Sequence, residues 1–421
     1  MKISKIGFNL LLLTALVVSL KTGNAADSSF APKVLNQTRT PFVGYYPSWL
    51  NLPDKRLDQV SRTFSHVFLS FALPNIGPFT AQSTHFAKTG LDFEDSISNI
   101  RAQIEILQRD GIQVILSVGG SQAALVAKKH GRAWENLVGQ KKYRERLLVL
   151  ANKLGVDGID MDYEAASRNN NATVTQYAKV MDVLHGLAKR LNALNAAGNP
   201  NPRLFVLTTS PIGADCAPET KSDETCQQLQ LNSAWAGAGV ERRLLKERGK
   251  ANLVDMLNIM SYDIGFRAYD PQLAYEQYRA LIPAGIPVNV GLEVLDSAVI
   301  GGSQGAEKSL LMLNDDDVDA DACPGTVMLN DQYSAIWDTP PTLRVINRPY
   351  SVETLATLIN TANQEKGRSD GLLLWSLFRI ESENLDPGQV SCKGLTAATP
   401  ETTRIRAAEI MGWPVDGLNV D

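Results

Sequence analysis

Apolar strand-like runs alternate along this chain with amphipathic helical stretches, and this alternation constrains the fold more than any other feature. Strands that alternate with helices form repeated βα units around a parallel sheet. Eight runs predict eight such units, which close into a (β/α)8 barrel (TIM barrel) of the α/β class. The predicted strands are Phe42–Tyr46, His66–Ala72, Gln113–Val118, Gly158–Glu164, Leu204–Thr209, Met256–Tyr262, Val288–Val294 and Gly371–Leu377.

The helical stretches carry apolar residues at spacings of three and four, as in 94–109, where one apolar stripe is followed by Gly111 as a stop. The segment 295–350, between the seventh strand and its helix, is too long for an ordinary loop, so we expect a small insertion there beside the cleft. The barrel domain then spans 41–415. The predicted helices are Glu94–Arg109, Lys141–Leu154, Val174–Leu194, Leu273–Leu281, Val352–Glu365 and Glu401–Met411.

The first 25 residues have the composition of a secretory signal peptide. Two lysines precede an apolar run from Ile6 to Leu20, and the small residues Gly23, Asn24 and Ala25 follow it. An uncleaved anchor is the alternative, but the run is short for a membrane span and is interrupted by Asn9. We therefore predict cleavage, a flexible leader at 26–40, and a soluble protein that is extracellular or periplasmic.

Composition and charge limit the partners of the chain. Its 421 residues, 44% of them apolar, can bury the core of one barrel, and the net charge of −4 with interspersed signs does not favour nucleic acid or an anionic membrane surface. Export permits disulfides, and the cysteines form a close pair, Cys216 and Cys226, and a distant pair, Cys323 and Cys392. We expect these two bridges.

The sequence does not predict a metal or another cofactor. Its four histidines are scattered, and it contains no Cys-x-x-Cys element. An acidic run at 315–321 leaves a calcium loop as an alternative, but the run lacks the glycine and distal glutamate of an EF-hand. We therefore expect a solvated loop at this place.

Three carboxylates stand in a row on the predicted fourth strand. The two-residue period of a strand places Asp160, Asp162 and Glu164 on one face, with successive members about 7 Å apart. In a partly desolvated site three negative charges at this spacing repel, so at least one group should hold a proton near neutral pH. Such a group can act as a general acid, and Glu164 at the strand end is our candidate. The alternative is a solvated edge strand, which the flanking hydrophobic sequence disfavours.

The spacing of Asp157, Asp160, Asp162 and Glu164 follows the pattern Asp-x-x-Asp-x-Asp-x-Glu. This pattern resembles the catalytic signature of glycoside hydrolase family 18, which comprises chitinases and related endo-N-acetylglucosaminidases. Asp157 falls on the opposite strand face from the other three, and we interpret it as structural support.

Other strand ends resemble the same family. Ser117-Val118-Gly119-Gly120 is similar to its Ser-x-Gly-Gly element, and Met260-Ser261-Tyr262-Asp263 is similar to its Met-x-Tyr-Asp element. Trp375 lies on the last strand, where the family has a tryptophan as the floor of the sugar site, and an aromatic face suits a sugar ring. The resemblance runs from Tyr45 to Trp375. The predicted substrate-binding residues are Trp375, Tyr45, Met260, Asp263, Ser117 and Gly119.

The resemblance implies a substrate-assisted mechanism with retention of configuration. Glu164 would protonate the glycosidic oxygen, and the acetamido oxygen of the sugar would attack its own anomeric carbon to form an oxazolinium ion. Asp162 would orient the acetamide, Asp160 would share a proton with Asp162, and Tyr262 would hold the acetamide carbonyl. These are the four predicted catalytic residues.

The sequence leaves several functions open. The first is a secreted chitinase that cleaves β-1,4-linked N-acetylglucosamine, and we expect a monomer. The second is an endo-β-N-acetylglucosaminidase that acts on N-glycans or peptidoglycan with the same residues. The third is a non-catalytic chitin-binding lectin on the same barrel, which the intact Glu164 disfavours.

Overall fold

The computed structural model describes the larger part of the predicted barrel domain, and the structural statements below concern the residues it describes. The chain outside them includes the predicted insertion at 295–350. The described residues are 40–120, 132–164, 170–194, 203–209, 239–262, 271–294, 351–378, 391–392, 395–396 and 398–416.

Eight parallel strands form a closed barrel in which each strand pairs with its neighbours in sequence and the last pairs with the first. The predicted fold class is therefore confirmed. Nearly every residue of these strands is buried, which explains why each appears in the sequence as an apolar run. The strands are β1 Phe42–Pro47, β2 His66–Ala72, β3 Gln113–Gly119, β4 Gly158–Asp162, β5 Leu204–Thr209, β6 Met256–Ile259, β7 Val288–Glu293 and β8 Gly371–Trp375.

Helices follow the strands around the outside of the barrel. Short 3-10 turns lie at Ser48–Leu50, Leu57–Gln59 and Lys250–Leu253, and a π-helical turn at Arg243–Glu247 continues α5. Two short antiparallel strands, β9 Ser391–Cys392 and β10 Leu395–Thr396, precede the last helix. The helices are α1 Ile97–Arg109, α2 Ala133–Gly139, α3 Lys141–Leu154, α4 Asn171–Leu194, α5 Val240–Arg242, α6 Pro271–Leu281, α7 Val352–Lys366 and α8 Pro400–Met411.

The predicted helices are present, with shifted boundaries that capping explains. Helix α1 begins at Ile97 and not at Glu94, because the Ser96 hydroxyl accepts a hydrogen bond from the Asn99 backbone N–H and so caps the helix. Helix α4 begins three residues earlier than predicted, after Asn170, whose side chain accepts from the Thr173 N–H. Helices α2 and α5 were not predicted, since they are too short to show a helical period.

Four predicted strands extend too far at their carboxyl ends. The prediction carried the fourth strand to Glu164, but β4 ends at Asp162, whose partner Thr208 lies near the end of β5. In the same way β6 ends at Ile259, which pairs with the last residue of β5. Beyond these pairs the chain enters the loops at the carboxyl rim, and its described residues no longer pair with the neighbouring strand. Apolar sequence continues past the ladder because the rim is also buried.

The core has two parts, which follow from the alternation of side chains along the strands. A larger shell packs between the outer strand faces and the helices. A smaller cluster fills the barrel interior and supports the carboxyl rim from below. It contains Val43, Tyr45, Phe68, Phe71, Ile115, Val206, Met256 and Leu373.

Buried ion pairs lie at the amino-terminal ends of the strands. Asp157, just before β4, contacts Arg203 at 2.8 Å and accepts a hydrogen bond from the Val114 backbone N–H at 2.9 Å. Asp370, just before β8, contacts Arg279 at 2.8 Å, and both side chains are almost fully buried. These contacts tie neighbouring strands together, as expected for the structural role that we gave to Asp157.

Some predictions fall on residues outside the described segments and stay predictions. They concern the signal peptide and leader, the insertion with its acidic run, Asp263, and three of the four cysteines, Cys216, Cys226 and Cys323. Within the described segments, no helix is both long and apolar enough to cross a bilayer. No group of three His, Cys, Asp or Glu side chains in these segments could hold a metal ion.

Candidate active site

The candidate site lies at the carboxyl end of β4, the end at which barrel enzymes place their chemistry. Asp160 and Asp162 point into the barrel, and their side chains are 0% and 2% exposed. The alternate residues Ile159, Met161 and Tyr163 pack outward in the larger shell, so the predicted division of faces is observed. Two buried carboxyl groups thus lie on one strand below the rim.

Three hydroxyl groups surround Asp160. Ser117 Oγ lies 2.6 Å and Tyr45 Oη 3.0 Å from Oδ2, and Thr208 Oγ1 lies 2.8 Å from Oδ1. Burial raises the pKa of Asp160 to about 6, although these hydrogen bonds favour the ionised carboxylate. Desolvation therefore outweighs three favourable contacts, and the group can exchange a proton near neutral pH.

Ionisation is less favourable for Asp162 than for Asp160. Burial raises its pKa well above the ordinary value, and the charges of Glu164 and then Asp160 raise it further. Its Oδ1 is buried without a hydrogen-bond partner among the described residues. A proton on Asp162 relieves both the desolvation and the repulsion, so the arrangement favours the protonated form of this group.

Glu164 lies two residues beyond the end of β4, in a turn. It is partly exposed, unlike the two aspartates. Its charge raises the pKa of Asp162, so it remains close to that group although it is not part of the strand. A partly exposed carboxyl group above two buried ones is placed to meet a ligand from the solvent side.

Two glycines at the end of β3 allow this strand to approach β4. Gly119 has φ +130°, and a Cβ at this position would lie 1.8 Å from the Asp162 carbonyl oxygen. Gly120 has φ +71° and lies against the Phe71 ring. Both conditions require glycine. The glycines thus leave room for β4, and Ser117 contacts Asp160 directly; the predicted substrate contacts of Ser117 and Gly119 stay predictions.

Aromatic rings gather around Trp375 at the end of β8. The Phe71 ring stacks on it with 5.5 Å between ring centroids, the Tyr45 ring meets it edge-on at 5.6 Å, and the Trp49 ring lies 6.3 Å away. Trp49 is 39% exposed. Trp375 and Trp49 therefore offer aromatic surface at the rim.

Tyr45 does not form part of this exposed surface, and its predicted contact with substrate stays a prediction. The side chain is 1% exposed, and its hydroxyl contacts Asp160 and Thr208. Burial and the adjacent aspartates raise the pKa of Tyr45 well above its ordinary value, so the phenol keeps its hydrogen. The structure places Tyr45 among the groups that contact the carboxyl pair.

Tyr262 and Met260 follow the end of β6. Tyr262 is half-buried and packs against the interior cluster, as does Trp375. A Cβ on Gly291 would lie 2.8 Å from the Tyr262 ring, so the glycine in β7 makes room for it. Met260 is buried, and its predicted substrate contact stays a prediction.

Sequence reasoning missed three polar residues that line the barrel interior. Thr208 on β5, Asn258 on β6 and Asn289 on β7 are all buried and lie beside one another across the sheet. Each is a single polar residue within an apolar run. Counting alternate positions inward from the strand ends could have identified them, because they share the face that carries Asp160.

A closed eight-stranded barrel with acidic side chains on its fourth strand defines a class of protein: (β/α)8 barrels with a carboxylate site at the catalytic face. The profile of the family described as Glycosyl hydrolases family 18 matches residues 41–280, more than half of the chain. The chain belongs to this family, and the predicted resemblance is confirmed.

Two curated relatives have similar sequences. Chitinase Chi52 of Paenibacillus xylanexedens is 23% identical over 202 residues, which is 45% of this chain and 35% of that protein. Chitinase D of Niallia circulans is 24% identical over 205 residues, which is 47% of this chain and 34% of that protein. The match thus covers about a third of each relative's length.

Solved structures agree on the fold. The family 18 chitinase of Cycas revoluta in complex with (GlcNAc)3 superposes with a TM-score of 0.52 at 15% identity and covers 88% of this chain and 99% of that one. A mutant of the same enzyme in complex with (GlcNAc)4 gives a TM-score of 0.52 at 14% identity, with the same coverage. At this identity the comparison establishes the barrel fold.

Proposed function

We propose that the protein is an exported chitinase that cleaves β-1,4 bonds between N-acetylglucosamine units. The arrangement on β4 carries this proposal: Asp160 and Asp162 are buried, and Glu164 stands partly exposed above them. The names of the two curated relatives support the same substrate class. Export rests on the signal-like residues 1–25.

The burial of the two aspartates supports a reaction in which the nucleophile belongs to the substrate. A retaining glycosidase with an enzyme nucleophile needs a second carboxylate that reaches the anomeric carbon. Asp160 and Asp162 are 0% and 2% exposed, so neither is placed to reach the anomeric carbon of a sugar above the rim as an enzyme nucleophile would. The acetamido oxygen of N-acetylglucosamine can take this role.

In the proposed reaction Glu164 gives its proton to the glycosidic oxygen as the bond to the anomeric carbon breaks. The acetamido oxygen bonds to that carbon and forms an oxazolinium ion, which water opens while Glu164 takes back a proton. Asp162 accepts the acetamide N–H and stabilises the positive charge, because its proton can pass to Asp160. Tyr262 holds the acetamide carbonyl.

The aromatic rim supports sugar binding beside these carboxyl groups. Trp375 lies on a buried base formed by Phe71 and Tyr45, which fixes its orientation. Trp49 extends the aromatic surface toward solvent. Sugar rings pack their apolar faces on such surfaces, so a chain of N-acetylglucosamine units can extend from Trp375 over Trp49.

Product analysis by mass spectrometry tests the proposal. The purified protein is incubated with chitin hexasaccharide and, in parallel, with a high-mannose N-glycopeptide and with peptidoglycan glycan strands, with Glu164→Gln as the inactive control. We expect shorter chito-oligosaccharides that are absent from the control. Release of the N-glycan between its two core sugars, or cleavage of peptidoglycan alone, would assign an endo-β-N-acetylglucosaminidase. Binding of the hexasaccharide without any cleavage would assign a lectin.

A further inference from the structure

A chain of hydrogen bonds crosses the barrel interior from β7 to β4. Asn289 Nδ2 donates to Asn258 Oδ1 at 2.8 Å, and Asn258 Nδ2 donates to Thr208 Oγ1 at 3.1 Å. Thr208 Oγ1 in turn lies 2.8 Å from Asp160 Oδ1. All four side chains are buried, so water does not compete for these contacts. The chain ends on a carboxyl group of the candidate site.

The hydrogens in this chain are few enough to count. Thr208, Tyr45 and Asp160 form a ring of three contacts, at 2.7, 2.8 and 3.0 Å, in which the two hydroxyl groups supply two hydrogens, and Ser117 donates a third to Asp160 Oδ2 from outside the ring. When Asp160 is ionised, both hydroxyls donate to it. When Asp160 is protonated, its own hydrogen completes the ring: Asp160 donates to Tyr45, Tyr45 to Thr208, and Thr208 to Asp160. Thr208 thus gives its hydrogen to Asp160 in the ionised state and when the proton lies on Asp160 Oδ2, whereas a proton on Oδ1 would reverse the ring.

Asn258 helps to keep the Thr208 hydrogen directed toward Asp160. An amide N–H can only donate, so the Thr208 oxygen accepts from Asn258 and must point its single hydrogen elsewhere. The amide of Asn258 is oriented by Asn289, whose N–H occupies the Asn258 oxygen. Asn289 Oδ1 is itself buried without a partner among the described residues, so an apolar residue would avoid a desolvation cost at this position. The contribution of Asn289 is therefore its hydrogen bond to Asn258, which orients the Asn258 amide.

We infer that Asn258, held by Asn289, is a positioning residue that keeps the Thr208 hydroxyl oriented as a hydrogen-bond donor to Asp160. The inference rests on the proposed function, in which Asp160 exchanges a proton with Asp162. It adds to that function two residues that contact neither substrate nor reacting atoms.

Several other titratable groups face Asp160 or the strands that pack on it. They are unchanged in the variants below, so a shift in the titration of Asp160 reports the altered hydrogen bond. These groups are Tyr45 on β1, Asp162 on β4, Glu164 in the following turn, Tyr262 after β6 and Glu293 on β7.

A carboxyl titration by carbon-13 NMR tests the inference without any substrate. The full chain is labelled at aspartate Cγ, and the Asp160 signal is assigned by its loss in Asp160→Asn. Asn258→Leu keeps the side-chain size but frees Thr208 to turn, so the pKa of Asp160 should rise by about half a unit or more. Asn289→Leu should give a smaller rise. Thr209→Val is the matched control, since Thr209 is equally buried but contacts Tyr278 on the outer face.

An unchanged pKa in Asn258→Leu, or a shift no larger than in Thr209→Val, would overturn the inference. A fall would also overturn it, because it would mean that the amide accepts the Thr208 hydrogen. If Asn258→Leu does not fold, the direction of the shift in Asn289→Leu decides by the same criteria. Hydrolysis of chitin hexasaccharide is measured separately: a rise in the pKa with an inactive wild type would refute the proposed reaction and leave the positioning role standing.

Discussion

The three carboxyl groups of this site differ in their burial and in their hydrogen bonds. Asp160 is buried but has three hydroxyl partners, whereas Asp162 is buried with an oxygen that lacks one among the described residues. Glu164 keeps contact with solvent. Three carboxyl groups of similar intrinsic acidity thus differ in burial and hydrogen bonding, and the proposed reaction gives each a different part in proton transfer.

Replacement of Glu164 by glutamine should lower the turnover number on chito-oligosaccharides by about two to four orders of magnitude, because it removes the general acid with little change in volume. Binding should persist, as measured by calorimetry with chitin hexasaccharide. Glu105→Gln is the control, since Glu105 is an exposed helix residue that pairs with Arg101. A Glu164→Gln variant with near-normal turnover would refute the assignment.

The stability of the protein should fall as the pH rises through 6, in part because of Asp160. The pKa of this group is 3.8 when unperturbed and about 6 in the folded protein, so its contribution to folding is fully present below pH 4 and is lost as the buried group ionises. The loss is on the order of 3 kcal/mol by pH 8. Urea unfolding between pH 4 and pH 8 should show a smaller fall for Asp160→Asn than for the wild type.

The pH dependence of stability is compared between Asp160→Asn and the wild type, because Glu241 titrates in the same pH range and affects the stability of both proteins. Burial raises the pKa of Glu241 to about 7, so it also destabilises the ionised folded state, and it does so in both proteins alike. Parallel curves for Asp160→Asn and the wild type would show that Asp160 does not titrate in this range.

At the scale of elements, the strand ends decide how the site is built. The apolar runs and the two-residue period predicted the barrel, the strand of the carboxyl groups and their common face. They did not predict where each ladder ends, because this depends on the length of the neighbouring strand, as for Asp162 beside Thr208. They also did not predict the contacts of Asn258 and Asn289, because hydrogen bonds across the sheet depend on a register that a single strand does not encode.

Replacement of Gly119 by alanine should disrupt this construction. The added Cβ would lie 1.8 Å from the Asp162 carbonyl oxygen at a φ that side chains disfavour, so either β3 or β4 must move. We expect a loss of about 3 kcal/mol or more in the free energy of unfolding, with a fall in activity.

Gly186→Ala is the matched control for this change. No atom lies within 4 Å of a Cβ at Gly186, which is inside α4, so alanine there should stabilise the protein by about 0.5–1 kcal/mol. Thermal unfolding and urea titration would measure both variants. Equal stability of Gly119→Ala and the wild type would show that the strands do not require this close approach.

At the scale of the whole molecule, the two ends of the barrel have different tasks. The amino-terminal ends of the strands carry buried ion pairs, whereas the carboxyl ends carry the acidic site and the aromatic rim. A change at the first end should therefore alter stability more than chemistry.

Replacement of Arg279 by methionine tests this division. It leaves Asp370 buried without its charge partner, which should cost about 3–5 kcal/mol of stability, while the turnover number per folded molecule stays near that of the wild type. Arg190→Met breaks an exposed pair with Glu145 and should lower the free energy of unfolding by at most about 1 kcal/mol. Similar losses for the two variants would contradict the assignment of Arg279 to the framework.

The closure of the sheet has a consequence for how the protein comes into being. Phe42 near one end of the chain pairs with Leu372 near the other, so β1 is held on both sides only after β8 has been synthesised. Tyr45, which completes the ring around Asp160, lies on β1. A chain whose last strand has not yet been synthesised therefore lacks the β8 side of this pairing, and the contact of Tyr45 with Asp160 depends on a strand that is held on one side only.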